Sequence, residues 1–194
     1  MMKRGMNVVV ILIALIAVTA GGWFWWQNDA HRYPWASESA GRPALTGSWV
    51  GQVRTASGGK RGVLLVLALP DRASNARDQQ GPFGALAGSG KSCDEAGTVS
   101  TFAVQGAPDN RDGTRLHLEM APVETPSPHG LSLSTASGMW DQANVLHLDA
   151  HFSFSRDGQL VTGAENPDTQ KGTTLHMERG ADPEFQRVCA SLRR

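Results

Sequence analysis

The chain opens with an uninterrupted apolar stretch, Asn7–Trp26, that contains no charged residue. As an α-helix this stretch would be about 30 Å long, which matches the hydrocarbon core of a bilayer. Lys3 and Arg4 precede it and a tryptophan cluster closes it, as expected for a cytoplasmic start and an interfacial aromatic belt. The pattern predicts a transmembrane signal-anchor helix over residues 7–26, with residues 1–6 in the cytoplasm and the remainder across the membrane.

A cleaved signal peptide is the alternative interpretation of this stretch, because Val18-Thr19-Ala20 resembles the small-residue cleavage rule. However, the apolar run exceeds the roughly 7–15 residues of a secretory hydrophobic region, and cleavage would leave the tryptophans at a free terminus. We therefore favour a retained anchor, although both interpretations export the domain. The chain has no Asn-x-Ser/Thr sequon. We expect a single-pass protein of a bacterial inner membrane whose domain faces the periplasm.

Residues 27–45 are polar and contain Pro34 and Pro43. They are predicted to be a linker that holds the domain off the membrane, with Trp35 available for the lipid interface. Residues 46–194 are long enough for one domain with a sizeable core. The 18 basic and 18 acidic side chains give a formal net charge of zero, so the composition offers no electrostatic case for nucleic acid.

The exported segment shows the period-two alternation of half-buried strands. Its predicted strands are 46–54, 62–69, 98–105, 113–120, 131–134, 139–155, 159–162 and 173–179. Residues 71–97 are rich in Gly, Ala and Ser without clear periodicity, so they are predicted to be one long loop. The fold class is mainly β: an N-terminal transmembrane helix, then an antiparallel meander that closes into a barrel or folds into a sandwich, then a C-terminal helix.

The C-terminal helix is predicted from Asp182, which can cap it, and from an apolar stripe that includes Phe185, Cys189 and Leu192. Cys189 therefore faces the body of the domain. With Cys93 it is one of two cysteines, and an exported chain allows them to form one disulfide. The bond would clamp the helix to the segment around Cys93.

Gly47-Ser48-Trp49 at the start of the first strand is similar to the Gly-x-Trp signature of lipocalins and the wider calycin group. Arg179 stands where lipocalins carry an arginine that packs on this tryptophan, and the closing helix is also lipocalin-like. The resemblance implies an antiparallel barrel over residues 47–192. It also implies an interior that takes a small apolar ligand or a lipid.

Three predicted strands carry a histidine followed two residues later by an acid, on the face opposite the leucines: His117/Glu119, His147/Asp149 and His176/Glu178. On neighbouring strands such residues could bind zinc, but a sequence does not specify strand adjacency. We interpret them as the solvent face of the sheet and predict neither metal nor cofactor.

No catalytic residue is assigned. Gly88-Ser89-Gly90-Lys91-Ser92 resembles the tail of a phosphate-binding loop, but Ala85 replaces its first glycine and we interpret it as a flexible loop. The predicted function is a membrane-anchored, non-catalytic module that contacts an envelope protein through residues 71–97. The alternative is a lipocalin-like binder of a small apolar ligand.

Overall fold

The computed structural model describes residues 33–38, 43–70, 82–124, 130–156, 159–161 and 166–193. Its elements are β1 Gly47–Arg54, β2 Lys60–Ala68, β3 Leu86–Asp94, β4 Val99–Pro108, β5 Arg115–Pro122, β6 Leu131–Trp140, β7 Val145–Arg156, β8 Gln159–Val161, α1 Pro167–Gln170, β9 Thr173–Arg179 and α2 Asp182–Leu192.

The sheet closes on itself. Eight strands follow one another around the ring in the order β1-β2-β3-β4-β5-β6-β7-β9, and β9 pairs with β1. Every pairing is antiparallel, and the short β8 adds to the end of β7 only. The fold is therefore a closed antiparallel barrel, which removes the free edges that an open sandwich would keep.

Alternation along each strand decides which side chains fill the barrel. In β5, Leu116, Leu118 and Met120 are buried in the interior while His117 and Glu119 are exposed on the outer wall. The same period fills the interior from the other strands.

A second, smaller core lies outside the barrel. Helix α2 packs Phe185, Cys189 and Leu192 against outward-facing Val50 of β1 and Leu64 of β2. This contact explains the continuous apolar run in β2, which is covered on both faces over part of its length, as its composition predicts. Cys93 of β3 and Cys189 form the predicted disulfide, with their Cα atoms 5.9 Å apart.

The prediction of a single loop over residues 71–97 is wrong for its second half, because residues 86–94 form β3 between β2 and β4. The strand is hard to detect because it is built from small residues that lack β propensity. Their size has a reason: a Cβ at Gly88 would lie 1.8 Å from the Val66 carbonyl oxygen, and one at Gly90 would lie 2.1 Å from the Phe102 ring. The stretch resembling a phosphate-binding loop is therefore barrel wall, not a flexible loop.

The described part of the predicted linker also belongs to the folded body. Trp35 is 1% exposed and Leu45 0% exposed, and both lie in the main core. Trp35 therefore does not lie at a lipid interface. The folded body includes Tyr33, ahead of the predicted boundary at Thr46, because these side chains fill space at the end of the barrel.

The bounds of two other predicted elements also differ from those in the structure. The stretch 139–155 is not one strand: β6 ends at Trp140 and a turn that includes Gln142, at a φ of 61°, leads into β7. The loop predicted around Asn166 contains the single helical turn α1. The first difference arises because local turn chemistry interrupts an apolar alternation that continues on both sides. The second arises because the Asn166 side chain caps the helical turn.

No helix among the described residues has the length and apolarity to cross a bilayer. The predicted anchor over residues 7–26 lies outside the described residues.

Candidate functional site

We call the end of the barrel where β1 begins the lower end, and Trp35 covers it. The Trp35 indole donates a hydrogen bond to the Phe83 carbonyl at 3.1 Å. Two lower loops approach Trp35 closely at Gly84 and Gly113, both of which have positive φ. A Cβ on either glycine would lie within 3 Å of the Trp35 side chain. Trp35 is therefore enclosed by its own segment and two loops.

The pair implied by the lipocalin resemblance is present beside it. The Arg179 guanidinium lies 3.8 Å from the centroid of the Trp49 ring and donates to the Thr46 carbonyl at 2.8 Å. The Trp49 indole donates to the Leu45 carbonyl at 3.0 Å. Burial lowers the pKa of the Arg179 guanidinium, with Glu38 opposing the shift. This arrangement ties β1, β9 and the preceding segment together.

The opposite, upper end is spanned by polar contacts. The Arg61 side chain of β2 faces inward and donates to the Leu131 carbonyl at 3.2 Å, on β6, the strand diametrically across the ring. Burial lowers the pKa of the Arg61 guanidinium, while Asp94 and Asp168 act in the opposite direction. Asp168 of α1 is 5% exposed and accepts hydrogen bonds from the Ser57 amide at 2.5 Å and hydroxyl at 2.7 Å.

The Ser57–Asp168 contact has the geometry of a clamp. Asn166 caps α1 by accepting from the Asp168 amide, which fixes the carboxylate above the β1–β2 turn. The Ser57 hydroxyl is also 3.0 Å from the Thr55 hydroxyl. The four described histidines all lie on the outer wall, so this hydroxyl has no imidazole base beside it within the described chain.

Between the two ends, the interior is filled. Inward side chains from five strands are each no more than 2% exposed; they are Trp49, Val53, Val63, Leu65, Leu67, Leu116, Leu118, Leu146, Leu148, Leu175 and Met177. A ligand cavity of several hundred cubic ångströms would leave accessible area on the side chains that line it. The described interior is a packed core.

A well-defined opening lies outside the barrel, between α2 and the outer wall of β1 and β9; we call it the α2 groove. Its volume is about 450 Å³, and Val50 and Val188 provide apolar surface along it. Its charged and polar lining consists of Gln52, His176, Glu178, Arg179, Glu184 and Arg187. A second opening of about 330 Å³ continues past Gln52 to Arg54 and Lys60.

Two of the three predicted histidine strands are neighbours in the barrel. His147 of β7 is directly opposite His176 of β9, with their Nδ1 atoms 3.3 Å apart. His117 lies on β5, separated from β7 by the whole of β6. The acids predicted to share a face with the histidines do so, for example His176 Nε2 and Glu178 Oε1 at 3.6 Å. Within the described ranges no three His, Cys, Asp or Glu side chains are grouped to hold a metal.

Two elements of these sites could not be found by sequence reasoning. The burial of Trp35 has one local signal, the Pro34-Trp35 pair before Leu45, but the glycines that enclose it are distant in sequence. The α2 groove has no local sequence signal, because its walls come from β1, β9 and α2, which are distant in sequence. The apolar stripe of α2 predicts only which side of the helix packs against the barrel.

The fold and these sites define a closed eight-stranded antiparallel β-barrel with a C-terminal helix clamped to its outer wall. No protein-family model matches the sequence. A comparison with characterised proteins also gives no match. Among solved structures, the chain is similar to one described as "Structure of EF1p2_mFAP2b bound to DFHBI", at a TM-score of 0.47 and 14% identity, over 70% of this chain and 94% of that chain.

Proposed function

We propose that this protein is a tethered, non-catalytic barrel that binds a protein partner through the α2 groove. The observation that carries the proposal is the filled interior. A barrel whose inward side chains are already buried against one another has its recognition surface on the outside. The α2 groove is a concave feature of that outer surface, and the disulfide and the second core hold its two walls in fixed relation.

The chemistry of the groove favours an extended peptide segment with one apolar and one basic side chain. Val188 offers the apolar contact, while Val50, 8% exposed, adds little accessible area. Arg187 is paired with Glu184, which offsets its charge, and the Arg179 guanidinium is fixed against the Trp49 ring and the Thr46 carbonyl. The Glu178 side chain is 72% exposed and supplies the carboxylate for that partner.

The apolar stretch at residues 7–26 and the disulfide support the cellular setting of this proposal. A retained anchor keeps the barrel beside the membrane, and a Cys93–Cys189 bond persists in an oxidising compartment such as the periplasm. A tethered module meets its partner at a high local concentration, so a groove of this modest size is sufficient for function. We place the protein in the bacterial inner membrane with the barrel in the periplasm.

The non-catalytic part of the proposal is supported by the Ser57–Asp168 pair. Among the described residues, this hydroxyl–carboxylate contact most resembles part of a catalytic site. Both Asp168 oxygens, however, accept hydrogen bonds from Ser57 and hold the β1–β2 turn. A serine nucleophile needs a base that takes its proton and then returns it to a leaving group.

Site-specific photo-crosslinking in the host tests the proposal. A photoreactive side chain at Val188, in the full-length chain, should give one discrete adduct, and the additional change Glu178→Lys should remove it. The same photoreactive side chain at Glu119, on the diametrically opposite β5, should give no such adduct. The second-site control Glu119→Lys should leave the Val188 adduct intact. An adduct of equal yield from Val188 and Glu119, or one insensitive to Glu178→Lys, would contradict the groove as the binding surface.

A second candidate function, binding of a small anionic amphiphile, is favoured by one observation. Arg61 is an inward-facing cation at the upper end, directly beside the apolar interior. Such a ligand would have to displace the Arg61–Leu131 contact and part of the core. Native mass spectrometry of the full-length protein released from its membrane tests this: a bound mass lost in Arg61→Met would support the binder, and a bare chain would contradict it.

A further inference from the structure

We infer that Met139, His147 and His176 form a copper(I) site on the outer wall of the barrel, at the edge of the α2 groove, to which His176 and Glu178 also belong. The inference does not rest on partner binding. The three residues occupy one row across three adjacent strands. Met139 of β6 is directly opposite His147 of β7, and His147 is directly opposite His176 of β9. Directly opposed residues on antiparallel strands have Cβ atoms about 4.5–5.5 Å apart, and these three side chains all project outward.

The distance between the two imidazoles suits a shared metal ion. Their Nδ1 atoms are 3.3 Å apart, and the rings are tilted by 59° rather than stacked. Two nitrogens that each lie about 2.0 Å from one metal at a tetrahedral angle are separated by about 3.3 Å. The pair therefore already has the spacing that a common ion requires.

The third donor selects the metal. A thioether is a soft ligand that favours copper(I), and imidazole also suits copper, whereas carboxylate-rich sites suit harder ions. Met139 is 59% exposed, so packing in the core does not account for an apolar side chain at this position. Met139 lies beside His147, on the side away from His176, so its flexible side chain would reach across the His147 ring to bring the sulfur to the ion.

The second nitrogen of His176 is directed toward a carboxylate, at a distance longer than a hydrogen bond. Its Nε2 lies 3.6 Å from Glu178 Oε1, while its Nδ1 faces His147. Metal-binding histidines commonly direct the nitrogen that is not coordinated toward a carboxylate, which orients the ring and raises its basicity. Glu178 is a positioning residue in this arrangement.

The test is copper transfer from a chromophoric copper(I) chelator to the full-length protein. The transfer is done anaerobically with ascorbate, which keeps the copper reduced, and copper is the only metal added. The wild type should remove one equivalent from the chelator, and His147→Ala and His176→Ala should each lose that uptake. Met139→Leu should shift half-transfer to a lower chelator concentration while leaving nickel(II) binding unchanged, because nickel(II) does not depend on the thioether. His117→Ala is the matched control, an exposed outer-wall histidine with no histidine opposite, and should bind as the wild type does.

A wild type that takes up no copper would overturn the inference, as would uptake that is the same in His147→Ala, His176→Ala and His117→Ala. Unchanged copper(I) uptake in Met139→Leu would overturn the assignment of the sulfur ligand. All positions are exposed, and equal melting temperatures will show that the variants are folded. If an alanine variant is unfolded, the corresponding asparagine variant replaces it. Copper(II) is then added to each protein, and the electron paramagnetic resonance spectrum should show coupling to two nitrogens in the wild type and to one in the variant.

Discussion

The guanidinium of Arg179, on the last strand, lies 3.8 Å from the centroid of the Trp49 ring on the first strand, and it also donates to the Thr46 carbonyl. One side chain thus joins the seam where the barrel closes, between β1 and β9, to the segment that leads into β1. Gly47, at a φ of 120°, leaves room for it, since a Cβ there would lie 2.5 Å from a guanidinium nitrogen.

Arg179→Ala should therefore lower the free energy of unfolding by about 2 kcal/mol, the combined loss of a partly desolvated cation–π contact and a charged hydrogen bond. Urea denaturation measures the change. Arg187→Ala is the control, because Arg187 makes an exposed ion pair with Glu184 that contributes less than about 1 kcal/mol. Equal effects of the two changes would show that the seam does not depend on Arg179.

Trp35→Ala tests whether the segment before β1 is part of the fold. Because the side chain is 1% exposed and fills the lower end, its loss should reduce the free energy of unfolding by about 3–5 kcal/mol. Trp35→Phe keeps most of the volume and loses the hydrogen bond to Phe83, so its cost should be nearer to about 1 kcal/mol. A linker tryptophan would instead tolerate both changes with no shift in the denaturation midpoint.

Gly90→Ala tests the close packing of β3 against β4. The added methyl would meet the Phe102 ring at 2.1 Å, so we expect a loss of about 1–3 kcal/mol through forced rearrangement of the core. Ser89→Ala, on the exposed face of the same strand, should change stability by less than about 0.5 kcal/mol. Thermal unfolding of both variants decides the matter: a neutral Gly90→Ala would mean that β3 does not lie where Phe102 requires it.

The Cys93–Cys189 bond closes a loop with a sequence separation of 96 residues and fixes α2 to β3. In the chain-entropy account its removal costs about 4–5 kcal/mol, which corresponds to a fall in melting temperature of roughly 10 °C. Calorimetry with and without reductant measures this, and Cys93→Ala/Cys189→Ala should be insensitive to reductant. Two thiols that react with an alkylating agent in the unreduced protein would refute the bond.

Acid should loosen the start of α2. The hydrogen bond from Lys91 holds the pKa of Asp182 below its ordinary 3.8, and the hydrogen bond that the Ala181 amide donates to Glu184 lowers the pKa of that carboxyl from 4.5. A carboxylate with a lowered pKa stabilises the fold above its unfolded-state pKa and loses that contribution as the pH falls through the folded-state value. Asp182→Asn should therefore melt below the wild type at pH 7, and the difference should shrink as the pH falls below about 4 and vanish below the folded-state pKa of Asp182. A constant difference at both pH values would show that the charge of Asp182 is not involved.

Much of the architecture follows from local patterns. Alternation in residues such as Leu116, His117, Leu118 and Glu119 assigns each side chain to the inside or the outside without reference to the rest of the chain. The α2 stripe is similarly local, and the pairing of Cys93 with Cys189 needed only two cysteines and the orientation of one helix. The short Gly-Ser-Trp signature with a distant arginine was sufficient to place Trp49 against Arg179.

The patterns failed where a residue's reason for being small or apolar lies elsewhere in the sequence. Gly88 and Gly90 resemble loop residues because the atoms that exclude their side chains, the Val66 carbonyl and the Phe102 ring, belong to neighbouring strands. Trp35 resembles a linker residue because its pocket is formed by loops around Gly84 and Gly113. These contacts form only when the barrel closes, so local residue propensities do not predict them.

The sequence by itself determined a mainly β domain with its last helix and its disulfide, because those follow from periodicities of two and 3.6 residues and from a count of cysteines. It also predicted three histidine faces but could not say which would meet. Only the tertiary structure decided that β7 and β9 are neighbours in a register that sets His147 opposite His176, with Met139 opposite His147 on its other side. The physical reason is that strand adjacency and register are set by closing one packed core around the whole ring, so the outer surface they create depends on every strand at once.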